Sequence, residues 1–536
     1  MSIEDVTEEF RKRLGNANIL SAAQAMDAYP MDSSGYQTSI AGALLPPSAD
    51  LIPSILQLAN QHKIPLYTIS TGHNWGYGAA QPVVPNSFLL DLSRLTNIRM
   101  LDAASGLVRV EPGVTQQMLA NFLVQHQLDY MVPTTGAGPN ASILGNALEK
   151  GFGLTPIEDH FGAVTKIEAV LADGSLYQSA LTEMGAPESD AVFKWGLGPY
   201  LDGLMAQGNF AVVTAITIAL APRPSSAEAY YFYVPKAEQM EQALVAVREL
   251  LQLLPGVAGA VNLMNQHRQL SMLIPYPKES AASERNISAE KISLISEQHK
   301  LPAWLGYGTL YGDPLIVKAA KKIIRKKLRV LQGKIIFVNR VQVTFVRKLL
   351  AYMPMNFRNA WEFKLDATLN ALNMVEGKPT TVALPLAYWR SGNRPDDAKR
   401  MDPAKDGCGL IWYAPLTSTD AHRVRLLVDL IVHTCEQHAI EPLITLSVLS
   451  ARHIGCTVPI IFDRNDAAMM ARARALYDAL FEQGRALGFL PYRIGADKMH
   501  YFRELAPVYA GLCGRIKKTL DPNNILSPGR YNVEKW

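Results

Sequence analysis

Three glycine-bearing segments hold the residue types that can do ligand chemistry. The first, Ser70-Thr71-Gly72-His73-Asn74-Trp75-Gly76-Tyr77-Gly78, carries glycine at positions 72, 76 and 78. Glycine permits tight turns that aim successive backbone N–H groups at an anion such as a pyrophosphate. The segment is neither GxxxxGK[ST] nor GxGxxG, so triphosphate and Rossmann sites lose support, and a plain surface turn stays open. The second, Gly136 to Pro156 (GAGPNASILGNALEKGFGLTP), crowds small residues around Ser142, Gly145 and Asn146 and again at Gly151 and Gly153. That spacing lets backbone approach a flat, phosphorylated ligand from another side. The third is the tail Leu520 to Tyr531 (LDPNNILSPGRY), which by itself reads as a C-terminal turn with Asp-Pro and Pro-Gly breaks.

The elements that must position these segments follow from periodicity. Asp50 to His62 repeats apolar residues at helical spacing and leads to a strand, Pro65 to Ser70, that runs into the first segment. Ser87–Leu92 and Gly106–Val110 read as strands, and Thr115 to His126 as a helix with a threonine cap. Val164–Leu171 followed by Ala172-Asp173-Gly174 predicts a hairpin, and Phe210 to Pro222 is short and β-branched, a buried strand. Ala221-Pro222-Arg223-Pro224 then punctuates the chain. Beyond it, strands such as Ala229–Val234 alternate with long helices such as Glu238–Leu254, which predicts an antiparallel sheet backed by helices. Asp366 to Gly392 is read as a helix, a loop and a strand. Lys318–Arg329 (KAAKKIIRKKLR) is a basic amphipathic helix, read as a solvated face because no aromatic residues interleave its charges.

Composition bounds the function class. With 536 residues the chain exceeds one ordinary core, and 48% hydrophobic against 19% charged residues is globular composition. A formal charge of +4 gives no case for nucleic acid. The four cysteines, at 408, 435, 456 and 513, form no CxxC pair, which excludes a cysteine zinc site and a disulfide scaffold. No metal is expected. An acidic, helical N-terminus and the lack of a long apolar run predict a soluble, cytoplasmic protein with no membrane or nucleic-acid partner.

Taken in order, the loop, the Gly145-Asn146 segment, Gln207–Leu220, Trp389-Arg390, Ile460–Arg464 (IIFDR) and the tail together resemble the FAD-linked oxidases of the vanillyl-alcohol oxidase and p-cresol methylhydroxylase superfamily. The resemblance covers nearly the whole chain. It implies an α+β fold: a two-part FAD-binding domain of the p-cresol methylhydroxylase type over 1–224, a cap domain with an antiparallel sheet backed by helices over 225–490, and a C-terminal segment, 491–536, that closes the first domain. Cofactor-binding positions implied by it are Ser70, Thr71, Gly72, His73, Asn74, Gly78, Ser142, Gly145, Asn146, Gly151, Gly153 and Arg530. Asp159, His160 and Glu149 would brace backbone near the cofactor.

In the phenol-oxidising branch two tyrosines and an arginine surround the substrate hydroxyl, and Tyr77, Tyr492 and Arg493 match that pattern. A phenol ionises near pH 10, and a guanidinium with two hydroxyl donors stabilises the phenolate. The ring anion then favours hydride loss from the benzylic carbon to flavin N5, giving a p-quinone methide that takes up water or loses a proton. The expected substrate is a small para-substituted phenol, and the electron acceptor oxygen or a cytochrome-type partner, in a homodimer or larger assembly.

Three positions depart from the family. Ala137 stands where phenol oxidases commonly carry an aspartate near N5, which puts the hydroxylating step in question. Leu154 replaces a frequent tyrosine. Asp406–Pro415 (DGCGLIWYAP) lacks the cap histidine that can bond the flavin, leaving Tyr413 and Cys408 as nucleophiles there, whereas His73 sits where other relatives carry a linking histidine. Oxidation of a non-phenolic alcohol with a loop-histidine link is therefore the alternative reading. His453 is a candidate acid or base, or simply a core or surface histidine.

Overall fold

Helix Ile3–Leu14 places Val6, Phe10 and Leu14 on one face, where they are buried with Ile52, Ile55, Leu56 and Ala59 of helix Ile52–His62. The spacing of four and then three or four residues is the helical period, so one stripe of each helix closes over one core. The structure is a computed structural model and describes residues 3–277, 286–350, 352 and 355–531. It divides into two units, one of Met1–Gly153, Asp159–Pro222 and Ile494–Trp536, the other of Leu154–Glu158 and Arg223–Arg493.

The first unit has two sheets. In one, the strands run in the order Ile19–Ser21, Ile40–Leu44, Ser87–Asp91, Leu66–Ile69, the first pair antiparallel and the others parallel. The tail extends that sheet at its last edge. Leu66 bridges Leu526 in parallel, with Leu66 N–H donating to Ile525 O at 2.7 Å and Ser527 N–H donating to Leu66 O at 2.7 Å. Ile525 and Leu526 are buried in the same core as Phe10 and Phe88, which is why a polar, proline-broken tail stays attached. The other sheet is antiparallel, and its central strand, Val212–Ala219, lies between Leu107–Val110 and Val164–Val170. Its β-branched run is buried nearly throughout, as the apolar sequence predicts. The predicted hairpin forms between Val164–Val170 and Leu176–Tyr177.

The second unit is built on a nine-stranded sheet whose strand pairs are all antiparallel, running from Ile335–Val338 at one edge through Ser226–Val234 to Leu490–Pro491. Helices Met240–Leu253, Pro314–Leu328, Ala421–Gln437 and Ala467–Ala486 each bury one apolar face.

Three sequence expectations change. The strand expected in Asp366–Gly392 is absent: helix Met355–Val375 is followed by a loop and a 3-10 turn, Leu384–Tyr388. Pro385 lies in that turn, and without an N–H it cannot join a central ladder. Leu154–Glu158 joins the second unit, where the Tyr311 hydroxyl donates to Leu154 O at 2.7 Å. Tyr492 and Arg493 also fall in the second unit instead of in a 491–536 segment. Leu490–Pro491 pairs with Pro415 and Leu416, and Tyr492 N–H donates to Ala414 O at 3.3 Å.

Candidate functional site

In the first unit, strand Leu66–Ile69 delivers the glycine loop, and a carboxylate that the sequence reading missed shapes it. Asp32 is fully buried; its Oδ1 accepts from Gly76 N–H at 3.2 Å, and its Oδ2 from Gly78 N–H at 3.2 Å and Ser34 N–H at 3.0 Å. Tyr77 and Ala79 N–H both donate to Asn74 O. The second half of the loop is thus folded onto the protein itself. This corrects the expectation that Gly78 N–H faces a ligand and leaves the Thr71–Asn74 half for that task. Gly78 matters for another reason: its φ is 111°, and a Cβ there would lie 2.5 Å from that of Ala496. Next to it, Ala496 N–H donates to Tyr77 O at 3.0 Å. An Asp-x-Ser turn at Asp32-Ser33-Ser34 was the available sequence signal.

The second segment meets the first. A Cβ on Gly145 would stand 2.4 Å from Ser70 Oγ, so the two segments meet closely there and a side chain at 145 would have to turn the Ser70 hydroxyl away. The His73 ring lies 4.8 Å from Trp75, and His73 Nδ1 donates to Asn140 O at 3.1 Å. A carbonyl only accepts, so Nδ1 carries the proton of this bond. Ser142 serves as a helix cap: its hydroxyl donates to Pro112 O at 2.6 Å and accepts from Gly145 N–H at 2.9 Å. That role replaces direct ligation by its side chain. Ala137 lies in a turn pinned by buried Gln116, which bonds Thr135 and Gly138 O.

Asn146 Oδ1 accepts from His160 Nδ1 at 2.6 Å, and Gly151 N–H donates to Asn146 O at 2.9 Å. His160 is 2% exposed; burial drives its pKa down to about 4, against the weaker opposing pull of Asp159, so the imidazole is neutral. Its Nε2, close to Gly153, is buried with no hydrogen-bond partner among the described residues. Asn209 Oδ1 is in the same condition. A buried acceptor left open beside the Gly153 approach fits a polar, flat ligand that supplies a donor.

The tail brings charge to the same unit. Arg530 pairs with Glu149 and donates from its second guanidinium nitrogen to the Tyr67 hydroxyl at 2.7 Å. Burial opposes the Arg530 charge, and Glu149, Tyr67 and Tyr531 together outweigh it, so its pKa is raised. Upstream, Lys517 and Asp521 are 2% and 0% exposed and 2.7 Å apart. Lys517 Nζ also donates to Asn209 O at 2.5 Å and Leu526 O at 2.8 Å, while Asp521 accepts from Ile525 and Leu526 N–H. Every ammonium proton has an acceptor, so this buried pair locks the strand-forming part of the tail. Sequence reasoning treated that stretch as a turn and missed Lys517.

Of the proposed phenol-holding residues, Tyr77 belongs to the first unit and is 7% exposed. Arg493, in the second, is 8% exposed, its guanidinium 5.5 Å from the Tyr492 ring centre. Tyr413 is corrected: it is fully buried, its hydroxyl donates to Leu480 O of helix Ala467–Ala486 at 3.0 Å, and it serves packing and not flavin attachment. Burial likewise pushes the Cys408 thiol up to about 12, which keeps it protonated. His453 is exposed at a strand start and bonds Ser450.

Comparison with known proteins bears on this arrangement. Residues 40–179 match a family model described as an FAD binding domain, and residues 400–531 one described as the C-terminal domain of FAD linked oxidases. The chain is similar to 1'-carboxy-chondrochloren decarboxylase of Chondromyces crocatus, 30% identical over 539 aligned residues that cover 100% of this chain and 98% of the relative. It is also similar to the flavoprotein subunit of 4-cresol dehydrogenase (hydroxylating) from Pseudomonas putida, 24% identical, covering 98% and 95%. Among solved structures, p-cresol methylhydroxylase with bound substrate superposes with a TM-score of 0.86 at 23% identity, over 99% of this chain and 97% of that one. The 4-ethylphenol oxidase from Gulosibacter chungangensis, in complex with isoeugenol, gives 0.85 at 21% identity with the same coverage. Both show the fold.

Proposed function

Since the chain belongs to the FAD-linked oxidase superfamily of p-cresol methylhydroxylase and vanillyl-alcohol oxidase, we propose that its substrates are para-substituted phenols oxidised at the benzylic carbon. The protein is an FAD-dependent oxidoreductase of this type. FAD supplies a two-electron, hydride-accepting centre. The Thr71–Asn74 half of the loop, Gly145, Asn146, Gly151, Gly153 and Arg530 are the groups that would hold it. The observation that carries the phenol reading is the burial of Arg493 beside Tyr492. A guanidinium in a low-dielectric site forms strong hydrogen bonds to an anion, and a phenolate is such an anion. Arg493, with the hydroxyl of Tyr492, would hold the phenolate oxygen, a role the family resemblance extends to Tyr77, so that the ring can release a benzylic hydride and become a p-quinone methide. Anaerobic mixing with a 4-alkylphenol should bleach the flavin, and an aliphatic polyol should not. Bleaching by the polyol alone would contradict the assignment.

The fate of the quinone methide divides two readings. Addition of water would yield a benzylic alcohol. The similarity to a decarboxylase over the whole length favours another outcome when the neighbouring carbon bears a carboxylate. Breaking that C–C bond releases CO2, and the bonding pair returns through the side chain to the ring, leaving a vinylphenolate. This step needs neither an added water nor a base, which suits Ala137 in place of an aspartate. Oxidation in 18O-labelled water separates the two: label in the product marks hydroxylation, and unlabelled alkene with released CO2 marks decarboxylation.

His73 is the proposed point of covalent flavin attachment, because the family resemblance puts a linking histidine in this loop, where His73 Nδ1 bonds Asn140 O. A yellow acid-precipitated pellet that turns colourless in His73→Ala would support it. The proposed electron acceptor is oxygen or a cytochrome-type protein.

A further inference from the structure

Residues 314–352 contain eleven lysines and arginines and not one aspartate or glutamate. The whole chain carries +4, so the other residues carry a net −7. Such segregation is absent from an ordinary solvated surface, where the two signs alternate. Within this segment, helix Pro314–Leu328 leads through a short turn to the edge strand Ile335–Val338 and then to helix Arg340–Leu350. Lys321 and Arg325 lie 5.2 and 4.7 Å from the Phe337 ring centre, so the first helix packs on the edge strand that precedes the second.

The second helix is amphipathic in an unexpected sense. Val343 and Leu350 face the protein, yet Val341, Phe345 and Leu349, one helical turn apart, are 78%, 61% and 53% exposed. At 100° per residue they lie on the side opposite the buried pair. Tyr352 continues the exposed apolar surface. Among the described residues Lys321, Lys327, Arg340 and Arg347 are held in ion pairs. Lys322, Lys326, Arg329 and Lys348 are exposed and have no ion-pair partner among the described residues.

We propose that this face docks on an anionic lipid bilayer, with Val341, Phe345 and Leu349 entering the headgroup boundary and the unpaired cations meeting lipid phosphates. An apolar stripe bordered by lysine and arginine is the pattern of a helix that lies in a membrane surface. Charge complementarity selects the occupant. A second copy would oppose eleven cations to eleven cations, and nucleic acid has no use for aliphatic side chains presented outward. None of the described helices is long and apolar enough to cross a membrane, so the attachment is peripheral. The reading of Lys318–Arg329 as a solvated face lacked this second helix, whose apolar residues turn outward only in the fold.

The test is flotation of the full-length flavoprotein with vesicles of phosphatidylcholine alone or with about a third phosphatidylglycerol. The protein should float with the anionic vesicles only, and binding should weaken ~10-fold or more between low and physiological salt. Phe345→Ser with Leu349→Ser, and separately Lys322→Glu with Lys326→Glu and Arg329→Glu, should each abolish flotation. Flavin absorbance and thermal midpoint should stay unchanged, which shows that the variants fold. Equal flotation with both vesicle types, or undiminished flotation of the variants, would overturn the proposal. So would retention on single-stranded RNA without vesicle binding, or a dimer in solution that the Phe345 and Leu349 changes dissolve.

Discussion

The two units put buried charge to different uses: both tie carboxylates to named partners, as Lys321 holds Glu228 in the second, but only the second carries the charge we assign to the substrate. In the first, Asp32, Lys517, Asp521, Arg530 and Glu149 are each tied to named donors or acceptors within a few ångströms. In the second, Arg493 is withdrawn from water beside an aromatic ring, in the unit to which we assign substrate choice. The first arrangement spends its charges on holding backbone, as a site for an invariant cofactor requires. In the second we propose that Arg493 takes the substrate oxygen in addition to the partners it has in the fold.

Removing a charge from each unit should therefore have different consequences. Lys517→Met leaves Asp521 buried without its counter-charge and should cost about 3–5 kcal/mol of stability, with loss of flavin, measured by denaturant unfolding. Arg493→Met should keep flavin and stability, yet lower kcat/KM for a 4-alkylphenol by about 10²–10³-fold. If Arg493→Met unfolded the protein, or Lys517→Met only slowed turnover, the contrast would fail.

A third test uses pH. His160 is neutral in the fold because burial holds its pKa at about 4, below the ordinary 6.5. Between these values the unfolded chain binds a proton that the folded chain refuses, so stability falls as pH drops from 6.5 to 4. The loss is about 3 kcal/mol for this one group. His160→Gln should flatten that part of the profile, and an unchanged slope would remove His160 from the account. The smallest expected effect belongs to Ala137→Asp. It should leave flavin binding intact and shift products from alkene toward alcohol, seen by chromatography.

The parts of this protein legible in its sequence are those where backbone geometry dictates residue type. Gly78 has a φ of 111° and lies against Ala496, and the β-branched run of Val212–Ala219 must be buried, so both leave local traces. Asp32 leaves little trace, because Gly76 and Gly78 are 44 and 46 residues away. Lys517, by contrast, stands four residues before Asp521, a local signal the sequence reading passed over, and only its Asn209 contact, 308 residues away, needs the chain to close. Tyr413 shows the reverse error. A tyrosine in the expected stretch is a nucleophile only if it points outward, and strand register aims it at Leu480. The missed 3-10 turn at Leu384–Tyr388 has a local cause, since apolar residues suggested a strand where Pro385 forbids a ladder.

The phenolate claim is tested most directly by titrating a bound, unreactive phenol and following its ionisation by absorbance. In the wild type the bound phenol should ionise well below its free value near 10. In Arg493→Met, with flavin still in place, the ionisation should return to that value or rise above it. A bound phenol that ionises in the wild type as it does in water would contradict the account, whatever substrates the enzyme turns over.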